Sequence, residues 1–197
     1  MRGFTPCLWF DGKAEEAARF YTSIFEDAKI TAITRYGKAA AKASGQPEGA
    51  VMTVEFEIGG QPFLALNGGP EFQFTPAISL MAHCETQAEI DRLWNRLSEG
   101  GQPLECGWVT DRFGVSWQVV PTVLTEVLRD KDPAKIERVM AALIQMTKLD
   151  IAALVRAYEQ PSQGGEPRPS GQRSEQRGVD QPPPRPSRRT GRDRLGA

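Results

Sequence analysis

A strand, a helix and three more strands can be read in order between residues 4 and 67. The same order returns between residues 77 and 120, offset by about seventy residues. This repeat constrains the fold more than any single motif, because a half-unit that cannot close its own core must pair with its twin. In the first copy, residues 4–10 are short, apolar and strand-like. Ala14, Ala17, Ala18, Tyr21, Ile24 and Phe25 then recur at helical spacing, with Glu15, Glu16 and Arg19 on the opposite face. Residues 29–36 and 51–58 alternate as strands, the stretch 37–49 reads as a small, polar, mobile loop, and Gly59-Gly60 reads as a hairpin turn into a strand over 62–67. In the second copy, residues 77–84 form an apolar strand. Thr86 and Glu89 have capping-box spacing ahead of Ile90, Leu93, Trp94 and Leu97. Gly100-Gly101 stops that helix, and strands are predicted over 104–109 and 115–120. The predicted architecture is therefore α+β: two βαβββ modules, about 4–69 and 74–121. A helical pair over 132–159 follows, with Asp132 and Asp150 as N-caps.

Composition matters mainly for where the domain stops. All 16 aromatic residues precede position 161. Residues 161–197 contain 7 Pro, 6 Gly and 8 Arg among 37 residues, too little apolar area to offset the entropy of ordering a backbone. The reading is one domain over 1–160 and a disordered Arg/Pro/Gly-rich tail over 161–197. The tail carries +4, leaving 16 basic and 21 acidic residues, a net −5, in the rest. An acidic body is not a nucleic-acid surface, so any RNA or acidic partner falls to the tail, which gives an interaction protein as one functional alternative.

Three cysteines (Cys7, Cys84 and Cys106) without C-x-x-C spacing support neither a disulfide framework nor a zinc knuckle. They read as buried reduced thiols. No signal-peptide core and no 18-residue apolar run is present, so a cytoplasmic protein without a membrane span is expected. His83 is the only histidine, which removes two-histidine metal motifs and leaves one candidate base. A His83–Cys84 dyad is geometrically poor, since strand neighbours face opposite ways.

Several strings then resemble a known family: Phe10-Asp11-Gly12-Lys13-Ala14-Glu15-Glu16-Ala17, Phe20-Tyr21, Leu66-Asn67-Gly68-Gly69-Pro70, Met146-Thr147-Lys148-Leu149-Asp150, and the run from Cys106 to Pro121 containing Trp108, Asp111, Phe113, Gly114, Trp117 and Gln118. Over residues 4–159 the chain resembles the PhnB-like, demethylubiquinone methyltransferase-like branch of the vicinal oxygen chelate (glyoxalase/bleomycin resistance) superfamily. That resemblance implies two βαβββ modules forming a curled mixed sheet around a cleft, usually in a homodimer. It also implies a divalent metal in catalytic members, held by four side chains whose counterparts here fall at about Pro6, Ala65, Ala77 and Gln118. Pro and Ala offer no side-chain donor, and one amide oxygen does not hold a metal alone, so no metal or other cofactor is expected. Nor does any of the Gly pairs 59–60, 68–69 and 100–101 open a helix as an S-adenosylmethionine cradle would.

The candidate ligand-binding residues are Trp108, Asp111, Trp117, Gln118 and Asn67, with catalytic residues unassigned. Trp108 and Trp117 offer stacking area, and Gln118 and Asp111 polar anchors, although Trp117 and Gln118 must face opposite sides of one strand. The leading expectation is metal-free binding of a small molecule. A methyltransferase or a metal-dependent lyase or dioxygenase is the enzymatic alternative.

Overall fold

The computed structural model describes residues 3–161. The tail expected over 161–197 lies outside the described residues from position 162 onward. The first module runs β1 (Cys7–Phe10), α1 (Ala14–Ile24), β2 (Ala28–Arg35), α2 (Lys38–Ser44), β3 (Val51–Ile58) and β4 (Gln61–Asn67). The second runs β5 (Leu80–Cys84), α3 (Gln87–Ser98), β6 (Gln102–Pro103), β7 (Trp108–Thr110) and β8 (Ser116–Pro121). Both modules have the same strand order, first-fourth-third-second, with the first and fourth strands parallel and the other pairs antiparallel. The α+β class and the doubled module are as the sequence predicts. The strands form two separate four-stranded mixed sheets rather than one continuous curled sheet.

The helices lie where their apolar stripes place them. Ala14, Ala17, Ala18, Tyr21 and Ile24 of α1 and Ile90, Leu93, Trp94 and Leu97 of α3 are buried. They share one core with Val54 and Phe56 of β3, Val109 of β7 and Trp117 and Val119 of β8. At the start of α3 the capping box is complete, with Thr86 accepting from the Glu89 amide and Glu89 accepting from the Thr86 amide. Gly59 and Gly60, at φ 54° and 77°, make the β3–β4 hairpin turn. Pro62 sits one residue into β4 and pairs with Glu57, beyond the reach of β1, so its missing N–H costs the ladder nothing.

Several segments differ from the sequence reading. The expected loop over 37–49 contains α2. The four alanines among Lys38–Ser44 are strongly helix-favouring, and Gly45 ends the helix in the left-handed conformation at φ 70°. The strand expected over 104–109 is broken, because Cys106 and Gly107 both adopt positive φ, 59° and 79°. That leaves β6 two residues long and β7 three. Strand β5 begins at Leu80, so Ala77 precedes the strand. Cys7 is exposed and Cys106 half-buried; of the three thiols only Cys84 is buried.

An unexpected helix α4 (Thr122–Val127) follows β8, and the predicted pair are α5 (Pro133–Leu143) and α6 (Ile151–Glu159). Asp132 and Asp150 cap them through the amides of Ala134 and Ala153. The three helices enclose a second apolar cluster with Val120, Leu143, Leu149 and Leu154. Two backbone hydrogen bonds, Cys106 to Met146 (2.7 Å) and Gly107 to Thr147 (2.8 Å), tie this cluster to the second sheet. No helix among the described residues is long and apolar enough to cross a membrane.

Candidate functional site

Alternation along β8 decides which candidate side chains can meet a ligand. Trp117 and Val119 face α1 and α3 and are buried, whereas Gln118 between them turns to the outward face and is half-buried. Register then sets a row across the sheet, in which Trp108 of β7 and Met81 of β5 both pair with Gln118. All three side chains share the outward face, with Trp108 half-buried and Met81 49 % exposed. The Gln118 amide is oriented by donating to the Ser79 hydroxyl at 2.8 Å. His83, exposed and paired with Val120, lies on the same face two residues further along β5. Cys84 points the opposite way into the core, where burial pushes its thiol up to about 11. A neutral, inward thiol and an outward imidazole form no dyad.

Asp111 and Trp117 belong to a different constellation. Asp111 is 3 % exposed, and each carboxylate oxygen takes two donors. One accepts the Phe113 and Val115 amides at 2.8 and 3.0 Å, which closes the β7–β8 turn. The other accepts the Tyr21 hydroxyl at 2.8 Å and the Trp117 indole N–H at 2.9 Å. Burial raises the Asp111 pKa against the opposing pull of these four donors. Tyr21 is likewise raised well above its usual value, first by burial and then by the Asp111 carboxylate. Because Tyr21 belongs to α1, the carboxylate joins the two modules. The sequence held a turn-capping signal for Asp111, but none for a partner 90 residues away.

Asn67 is 6 % exposed and serves the first module in the same manner. Its oxygen accepts the Ala14 amide at 2.8 Å, supplying the start of α1 with the cap that Lys13 does not provide. Its amide donates to the Val51 carbonyl at 3.0 Å. The structure thus brings Trp108 and Gln118 together on one surface and Asp111 and Trp117 together in the core, with Asn67 at the start of α1. Ser79 and Met81 complete the surface row and were absent from the sequence candidates. Met81 was in principle legible from the alternation of β5.

The metal that the superfamily resemblance implies can be tested against the donors present. Ala65 is fully buried and faces the helices, Ala77 lies off the strand, and Pro6 has no donor. Taking instead the nearest outward side chain on each strand gives Cys7, Leu64 or Leu66, Met81 and Gln118, still without three hard or borderline ligands. Among the described residues no three His, Cys, Asp or Glu side chains converge. The donor set does not fit a divalent metal.

Residues 2–120 match the model of the 3-demethylubiquinone-9 3-methyltransferase family. The chain belongs to this family. Among solved structures, the PhnB protein of Bacillus cereus is 37 % identical, covering 61 % of this chain and 100 % of its own, with a TM-score of 0.55. A protein of Pseudomonas aeruginosa is 25 % identical over 61 % of this chain and 98 % of its own, with a TM-score of 0.51. No curated protein matches the chain significantly. The PhnB-like assignment made from the motif strings agrees with the family match, which ends at Val120, the penultimate residue of β8.

Proposed function

We propose that this PhnB-like chain binds a small, partly aromatic molecule without a metal. The site is the outward face of the second sheet, and a second copy of the chain closes over it. The observation that carries the reading is the cross-strand row Trp108–Gln118–Met81, which offers an indole for stacking, an amide held by Ser79 and a pliable thioether. A ring stacked on Trp108 would receive its polar anchor from Gln118. The outward face of the first sheet carries half-buried Leu64 and Leu66, apolar area of the kind a homodimer would cover.

The test is an NMR screen of aromatic fragments against the full chain with a chelator present. Shifts of the Trp108 indole and the Gln118 side-chain amide, without movement of the Trp117 indole locked on Asp111, are expected. Binding that requires an added divalent ion would refute the reading. So would hits that leave both outward groups unmoved.

The family's description favours a second reading, a methyltransferase. Against it stand the glycine pairs: one makes a hairpin turn, one follows β4 and one follows α3, and none opens a helix. Calorimetry with S-adenosylmethionine separates the two. Stoichiometric heat would establish the methyltransferase reading, and no heat would remove it.

A further inference from the structure

Three strings that lie far apart in the sequence meet around one cavity, distinct from the outward face of the second sheet. The cavity has a volume of about 480 Å³, within the range of small-molecule pockets. Its walls come from the end of β1 and the start of α1, from residues 72–74 after the Leu66–Pro70 string, and from residues 112–114 of the β7–β8 turn. The walls are aromatic. Trp9 meets Phe72 edge-on at 5.0 Å between centroids, and Phe10 meets Phe74 at 5.2 Å and Phe113 at 6.4 Å. Phe72 is 66 % exposed, so its ring leaves area free for another ring.

The polar lining narrows the class of ligand. Lys13 is engaged by Glu16 at 2.9 Å. Arg112 has no carboxylate within ion-pair distance among the described residues. Its guanidinium lies over the rings of Phe20 at 4.3 Å and Phe113 at 5.1 Å, a stacking that leaves the N–H edge of the fork without a hydrogen-bond acceptor among the described residues. Asp11 and Glu16 balance Lys13 and Arg112 in formal charge, so selection falls to the geometry of the fork rather than to a net field.

We propose that this cavity is a binding site for a planar aromatic carboxylate, its ring held among Trp9, Phe72 and Phe74 and its carboxylate paired with Arg112. The proposal does not rest on the outward-face site.

Titrating the full chain with 1-naphthoate and with its neutral counterpart 1-naphthamide tests both halves of it. Naphthoate should bind at least about tenfold tighter than the amide, the worth of a charge-assisted hydrogen-bonded pair. Arg112→Gln should bring the two affinities together. Phe72→Ala removes an exposed ring that the fold does not need, and should weaken both ligands several-fold. Equal binding of the two ligands by the wild type, or no binding of either, would overturn the proposal. An undiminished naphthoate affinity in Phe72→Ala would do the same.

Discussion

Asp111 shows how a residue that the sequence marks for function can be committed to architecture. The four donors that point at Asp111 are satisfied only while its carboxylate remains, and two of them, the Tyr21 hydroxyl and the Trp117 indole, have no other partner among the described residues. Asp111→Ala should therefore cost about 3 kcal/mol, seen as a fall of about 6–12 °C in melting temperature. Its pH dependence runs opposite to that of a salt-bridged aspartate. With the folded pKa raised by burial, the native state binds the proton more readily than the unfolded chain. The contribution of Asp111 is thus fullest below the ordinary value of 3.8 and is lost as the pH rises through the raised one. In urea unfolding, the stability advantage of the wild type over Asp111→Asn should shrink as the pH rises across that window. An advantage that grows would show that the donors, not burial, set the pKa.

At the scale of elements, sequence pattern was a good guide wherever one principle acted alone. The stripes of α1 and α3, the alternation of β3 and the caps at Thr86, Asp132 and Asp150 were all legible, because each follows from local spacing. The misreadings came where backbone conformation overrode side-chain pattern. Residues 104–109 look like a strand, but the chain must turn at Cys106 and Gly107 to pair with Met146 and Thr147, a contact that local pattern does not announce. The same contact sets the string from Met146 to Asp150 against the strand motif of the second module. At Gly107, φ is +79°, and a Cβ would lie 2.9 Å from the Val119 carbonyl and 3.0 Å from the Leu149 side chain. Gly107→Ala should cost about 2 kcal/mol or more, measured by denaturant unfolding, with loss of protection at the Cys106 amide in hydrogen exchange. Unchanged protection there would mean that the C-terminal helices dock without this link.

For the whole molecule, the doubled module was visible in the order of elements, whereas the separation into two sheets was not. Which residues share a face depends on register between strands distant in sequence. Register is also what divided the five candidate residues: Trp108 and Gln118 became neighbours through pairing, and Trp117 was turned into the core by alternation. The resemblance to the vicinal oxygen chelate superfamily implies a metal in catalytic members, while three of the four positions it points to carry Pro or Ala here. On the reading proposed above, the outward face of the second sheet binds its ligand without one. Elemental analysis of the full chain, purified without added metal, tests it most directly. Zinc, nickel and iron should be far below one per chain, with no difference between the wild type and Gln118→Ala. One equivalent of any of these metals, lost on that substitution, would contradict it.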